Sequence, residues 1–171
     1  MMWGPLTRLG LMVAAASAAI DQASKLWLIY AFDLPGRAPV RLTPFLDLVM
    51  AWNKGISYGL FQLDGRIWQG LLLAITAGAV VLLMAWLARA RSWLTALALG
   101  LIIGGAVGNA VDRLLYDAVA DFVLFHITTE TIRFDWYVFN LADAAIVAGV
   151  VGLLYESALG DRAAKAPRSP T

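Results

Sequence analysis

Apolar residues run along this chain in long blocks broken by short polar stretches. Ile67 to Ala88 carries no charge over 22 positions, Ser92 to Val111 carries none over 20, and Trp136 to Tyr155 carries one, Asp143. Each block matches the roughly 20 residues a helix needs to cross the hydrocarbon core of a bilayer. A fourth block, Leu9 to Phe32, holds Asp21 and Lys25. A mid-bilayer charge costs about 2.5–3.5 kcal/mol. These two stand four apart, so one helix face can pair them, and the surrounding apolar residues offset the remainder. Between the blocks the pattern changes. Val40 to Trp52 is rich in β-formers and is bounded by Pro35-Gly36 and Asn53-Lys54-Gly55, and Val119 to Ile127 reads similarly. Both predict short strands at the membrane surface. The expected fold is an all-α integral membrane protein: four transmembrane helices and a small β-containing extracytoplasmic loop region. Residues 1–160 form one domain, and residues 161–171 form a polar, Pro-containing tail expected to be disordered.

Composition agrees. Hydrophobic residues make up 61% of the 171 and charged residues 15%, against about 25% charged in soluble domains. A water-soluble globule of this size cannot hide so much apolar surface. That excludes a disordered chain, a collagen and an ordinary cytosolic enzyme, and makes membrane lipid a partner. Thirteen basic and twelve acidic residues give a net charge of +1 without a long basic run, so no nucleic-acid partner is expected. With no cysteine and one histidine, His126, the chain offers no disulfide, thiolate or multi-histidine metal site. No metal or other cofactor is expected, and His126 reads as a surface residue of an outer loop.

Lys and Arg near the span ends set orientation. Arg8, Arg89 with Arg91, and Arg162, Lys165 and Arg168 fall on one side, which places both termini in the cytoplasm. The outside then holds the loops Asp33–Arg66 and Asp112–Asp135. Trp52, Phe61, Trp68, Trp136 and Tyr137 fall where an interfacial aromatic belt belongs. Arg8, an apolar stretch and Ala16-Ser17-Ala18 imitate a cleavable signal peptide. Retention is expected instead, because apolar character resumes from Leu26 to Phe32 and completes a span.

Under this topology the polar residues gather at one level. Asn109, Asp112 and Arg113 lie at the outer end of the third span, Asn140 and Asp143 within the first turns of the fourth, and Asp21 and Lys25 in the outer half of the first. Asp121 and Asn53 lie in the outer loops. Intramembrane ionisable groups are functional candidates by default. Asn109 and Asp112 stand three apart on one helix face, and Asn140 and Asp143 repeat the spacing. An Asn can orient a neighbouring carboxylate without adding charge. If Arg113 neutralises Asp112 in a bidentate pair, Asp121 and Asp143 are the acids left unpaired. Two such acids brought together share one proton, the arrangement of an aspartic peptidase.

Five segments carry a resemblance. They are Asp21-Gln22-Ala23-Ser24-Lys25; Asn53-Lys54-Gly55-Ile56-Ser57-Tyr58-Gly59; Gly104-Gly105-Ala106-Val107-Gly108-Asn109-Ala110-Val111-Asp112-Arg113; Val119-Ala120-Asp121-Phe122; and Phe139-Asn140-Leu141-Ala142-Asp143. In order and spacing they resemble the successive conserved blocks of the lipoprotein signal peptidase (signal peptidase II) family. The resemblance implies a four-helix aspartic endopeptidase of the bacterial inner membrane. Such an enzyme cleaves diacylglyceryl-modified prolipoproteins immediately before the lipid-modified cysteine, at the outer face. It places the catalytic pair on Asp121 and Asp143. It places substrate-binding or supporting roles on Asn53, Gly55, Asn109, Asp112, Arg113 and Asn140, with Asp21 and Lys25 more structural or substrate-orienting. The protein is expected to act as a monomer. One departure concerns the turn before Asp121, where the family often has Gly and this chain has Asp117.

Plainer roles compete at each position. Asp143 could be a carboxylate at a helix start, Asp121 a solvated loop acid, and Asp112-Arg113 a structural pair. Gly104, Gly105 and Gly108 are explained by close helix packing. A serine peptidase lacks support. Ser24 and Lys25 are adjacent and point about 100° apart on a helix, and nothing reinforces Ser57 with Lys54. A small transporter would need polar residues across the whole bilayer, but Leu11–Ala19, Val80–Trp86, Trp93–Leu99 and Val147–Leu154 are almost wholly apolar.

Overall fold

The computed structural model describes residues 4–55, 66–128, 131 and 133–165. Ser57, Phe61, Arg168 and the second conserved segment beyond Gly55 lie outside them. Among the described residues, four long helices and a four-stranded sheet make up the fold: α1 (Thr7–Leu26), β1 (Val40–Thr43), β2 (Leu46–Asn53), α2 (Arg66–Leu87), α3 (Trp93–Tyr116), β3 (Val119–Thr128), β4 (Arg133–Phe139) and α4 (Leu141–Lys165). Among the described residues, three segments are long and apolar enough to cross a membrane: Ile67–Leu87, Trp93–Tyr116 and Leu141–Ala158. α1, interrupted by its buried charges, is not one of them.

α3 lies between α1 and α4, with α2 leaning on it from a third side. Small residues allow this proximity. A Cβ on Gly100 would stand 2.6 Å from the Gly10 carbonyl oxygen of α1, and one on Gly104 would stand 2.5 Å from that of Ala14. Gly105 meets the Ala142 carbonyl of α4 in the same way. Backbones this close gain dispersion and lose little side-chain entropy, which is how helices associate where lipid removes the hydrophobic drive. Ala14, Leu87, Ala90, Ala96, Leu99 and Ile103 fill the core at the Arg89/Arg91 end. Ser92 starts α3 there, its hydroxyl accepting from the Leu94 N–H at 3.2 Å.

The strands pair antiparallel in the order β1-β2-β3-β4. The sheet rests on the far end of α1 through Leu28, Leu34 and Phe122, flanked by Phe32, Leu48, Met50 and Val123. There α1 widens into a π-helical turn, Trp27–Ala31, closed by the Phe32 N–H on the Trp27 carbonyl at 2.8 Å. The expected strand Val40–Trp52 is divided at Pro44, which supplies no backbone donor, and the Phe45 N–H turns to the Thr43 hydroxyl at 3.2 Å.

Three expectations change. The fourth span was expected to begin at Trp136, but Arg133–Phe139 pairs with β3 and the helix begins at Leu141. The aromatic rings of this strand pack at a tilt, with Phe134 against Trp136 at 5.7 Å and 55°. The helix continues to Lys165, into the segment expected as tail. His126 is buried rather than on the surface, its Nε2 standing 3.2 Å from Asp47 Oδ2 of β2.

Candidate active site

The polar residues converge where α1, α3 and α4 meet β2 and β3. Asn140 is the hub. It caps α4, with its Oδ1 accepting from the Asp143 N–H at 2.9 Å, while Asp143 Oδ2 faces the Asn140 N–H at 3.4 Å. This reciprocal pair is the capping box of a helix start, so the three-residue spacing of Asn140 and Asp143 has a local structural cause. The same Asn140 reaches outward. Its Nδ2 donates to Asp121 Oδ1 at 2.6 Å and to Asn109 Oδ1 at 3.1 Å.

Asp121 lies on β3, within the strand expected over Val119–Ile127, and is 2% exposed. It stands opposite Ala51 in the β2–β3 register. Its second oxygen accepts from Asn53 Nδ2 at 3.1 Å, from the end of β2. Burial pushes its acid up to about 7, and the neighbouring Asp143 charge adds to the rise; the hydrogen bonds from Asn53 and Asn140 and the Lys25 charge oppose it. Asp143 is half-buried, and its Oδ1 accepts from Asn109 Nδ2 at 2.9 Å. The two carboxyls are therefore linked through the amides of Asn140 and Asn109.

Buried charge holds those amides. Lys25 Nζ donates to Asp21 Oδ2 at 2.8 Å, to Asp112 Oδ2 at 2.7 Å and to Asn109 Oδ1 at 3.2 Å. An ammonium has three donors and no acceptor, so its third bond fixes the Asn109 amide with its nitrogen toward Asp143. Asp21 also accepts the Ala142 N–H at 2.9 Å, tying α1 to the first turn of α4. A Cβ on Gly108 would stand 2.6 Å from Asp21 Oδ2, so that glycine makes room for the carboxylate.

The expected Asp112–Arg113 ion pair is absent. Adjacent helix residues point about 100° apart, and Asp112 turns to α1. There it meets Lys25 and accepts from Gln22 Nε2 at 2.7 Å. It also accepts the Ala120 N–H at 3.1 Å, which anchors the residue before Asp121. Asn109 likewise serves Asp143 on another helix, not Asp112 on its own. Arg113 turns the other way, its amines donating to the carbonyls of Asn109 at 3.3 Å and Gly55 at 3.2 Å. Its charge faces the carboxylates of Asp143, Asp121 and Asp112. Gly55 is held further by its N–H on Asn53 Oδ1 at 3.0 Å.

All ten residues singled out in the sequence thus fall in one connected cluster. Gln22 belongs to it too and was missed. The signal was its place within the Asp21–Lys25 segment, where a position one residue from Asp21 points about 100° off the Asp21–Lys25 stripe and its long amide reaches back to Asp112. Asp117 ends α3 at φ 54°, its N–H on the Arg113 carbonyl at 3.1 Å. This left-handed backbone suits glycine, which accounts for the family residue there, and Asp is among the side chains that tolerate it.

A protein-family model described as signal peptidase II matches residues 13–159. A lipoprotein signal peptidase of Nitrobacter hamburgensis is 59% identical over 160 residues, covering 94% of this chain and 98% of that protein. One from Rhodopseudomonas palustris strain TIE-1 is 54% identical over the same shares. A solved bacterial membrane enzyme, determined at 2.3 Å, is 23% identical and superposes over 95% of this chain and 94% of that one with a TM-score of 0.75.

Proposed function

This chain belongs to the signal peptidase II family, a family of membrane aspartic peptidases, and we propose that Asp121 and Asp143 are the pair that carries out its hydrolysis. The observation that carries this reading is the Asn140 amide, which bonds Asp121 with its nitrogen and caps Asp143 with its oxygen. Two cations, Lys25 and Arg113, face four carboxyls in the cluster, and one proton shared by the pair lowers their mutual repulsion. Asp121, the deeper of the two and pushed up by its burial, is the natural holder of that proton. Asp143 sits at a helix start, where a negative charge is favoured.

The chemistry follows. The Asp121 proton polarises the scissile carbonyl, and Asp143 takes a proton from the attacking water. Water oxygen bonds to the carbonyl carbon. The tetrahedral centre then collapses, the C–N bond breaks and the amine leaves with a proton from the Asp143 side. Asn53, Asn109 and Asn140 keep both carboxyls aimed without adding charge. Lys25, Asp21, Asp112 and Arg113 hold those amides and the Gly55 backbone in place.

The substrate is a prolipoprotein bearing a diacylglyceryl group, cut immediately before the modified cysteine. Its signal helix and acyl chains remain in lipid while the peptide bond meets the polar cluster. We place α1 as a fourth span, retained in the mature protein. Both termini lie in the cytoplasm, and the cluster lies at the outer face of the bacterial cytoplasmic membrane. One chain contains the whole cluster, which supports a monomer. Purified protein should release a product beginning at the lipid-modified cysteine from the diacylglyceryl substrate and leave its unlipidated counterpart uncut. Equal cleavage of both, or of neither, overturns the substrate assignment. The chain has no cysteine, so single-cysteine labelling reads orientation cleanly. Thr43→Cys should react with an impermeant maleimide from outside and Arg91→Cys only after the membrane is opened. The reverse pattern refutes the orientation.

A further inference from the structure

Outside the cluster, the segment between the end of α1 and β1 carries an arginine with an unusual mounting. Arg37 Nε donates to the Phe32 carbonyl at 2.6 Å. Its guanidinium carbon lies 4.5 Å over the Phe32 ring, and that ring stacks on Trp27 at 5.3 Å and 25°. One edge of the guanidinium and one face are thus taken up by the protein. The residue remains exposed, and its two terminal amines have no carboxylate at ion-pair distance among the described residues. Asp33, the nearest acid in sequence, does not neutralise them. It adopts φ 53° and its carboxylate turns onto Gly36, where a built Cβ would stand 2.7 Å from Oδ2.

Depth gives this arginine a partner. From Thr7 to Ala31 the helical path is roughly 37 Å long, longer than the roughly 30 Å hydrocarbon core. Its end therefore reaches the headgroup layer. Trp27, 56% exposed, and Tyr30, 68% exposed, mark that depth, as amphipathic rings do at an interface. A planar, pre-oriented fork of two N–H donors matches two oxygens of a phosphate better than it matches a neutral headgroup. We infer that Arg37, held on the Phe32–Trp27 stack, binds the phosphodiester of an anionic membrane phospholipid, whose acyl chains lie beside the exposed upper turn of α1. The site rests on α1 spanning the bilayer and is separate from the Asp121–Asp143 pair.

Native mass spectrometry of the purified protein, titrated with phosphatidylglycerol or phosphatidylcholine of equal chain length, tests it. The wild type should retain the anionic lipid about five-fold more tightly, the preference a single interfacial cation gives. Arg37→Gln should lower that preference to parity without changing phosphatidylcholine binding. Arg37→Lys keeps the charge but loses the fork and should fall between the two. Inorganic phosphate, which lacks chains to enter the bilayer, should fail to displace the lipid at equimolar concentration. Peptidase turnover of both variants in detergent should match the wild type, confirming that they fold. An unchanged preference in Arg37→Gln, an Arg37→Lys indistinguishable from wild type, or displacement by phosphate alone overturns the assignment.

Discussion

The two ends of α3 are held by different forces. At the Ser92 end, Gly100 and Gly104 let backbones touch, and Ala96, Leu99 and Ile103 close an apolar core. At the Tyr116 end, Asn109 and Asp112 are buried among ionised and amide groups. The apolar end tolerates imperfect filling at a graded cost. The polar end does not, because each group satisfies the next and an orphaned buried charge is expensive. One helix thus joins a scaffold made by shape to a site made by stoichiometry of donors and acceptors.

Lys25→Met should break the contrast most severely. It leaves Asp21 and Asp112 facing each other without their shared cation and frees the Asn109 amide to turn. A stability loss of about 3–5 kcal/mol is expected, with turnover abolished in whatever remains folded, measured by denaturation in detergent and by peptidase assay. Leu99→Ala, at the other end, should cost about 2–4 kcal/mol through its cavity yet leave kcat per folded molecule unchanged. A matching fall in kcat would show that the two ends are not separable.

Smaller changes sharpen the picture. Asp121 holds its proton up to about 7, well above the ordinary carboxylate value of 3.8, so turnover should fall on the basic side with an apparent pKa near 7. The Asn53 hydrogen bond lowers that value, so Asn53→Ala should move the basic limb to higher pH, read from a pH–rate profile. The linked stability is fully present below about 3.8 and is lost as pH rises through about 7. Melting temperature from pH 5 to pH 8 should decline accordingly. Asp117→Gly, which relieves a left-handed backbone, should add up to about 1 kcal/mol and leave kcat alone.

The legible parts of this molecule were those governed by runs and periods. The bounds of α2 and the start of α3 followed from uninterrupted apolar stretches, while α3 runs past the expected Val111 to Tyr116 through Asp112 and Arg113, and the Asp21–Lys25 pair followed from helical spacing. β4 was hidden because Trp136-Tyr137-Val138-Phe139 is separated from α4 by a single polar residue, Asn140, whose capping bonds make the boundary. The partner of Asp112 was hidden for another reason. Nearness in sequence favoured Arg113, whereas the side chain's direction on the helix favoured Lys25 on α1. Neither Gln22 nor the burial of His126 could be read without the helix and strand that face them.

The central claim, that Asp121 and Asp143 act as one proton-sharing pair, is tested most directly by turnover of Asp121→Asn and Asp143→Asn on a diacylglyceryl-modified prolipoprotein. Each side chain keeps its shape and loses its acid. Both variants should melt cooperatively and lose at least about a hundred-fold in kcat, and the double variant should be no slower than either alone. Full turnover in either single variant, or losses that multiply in the double, would contradict the account.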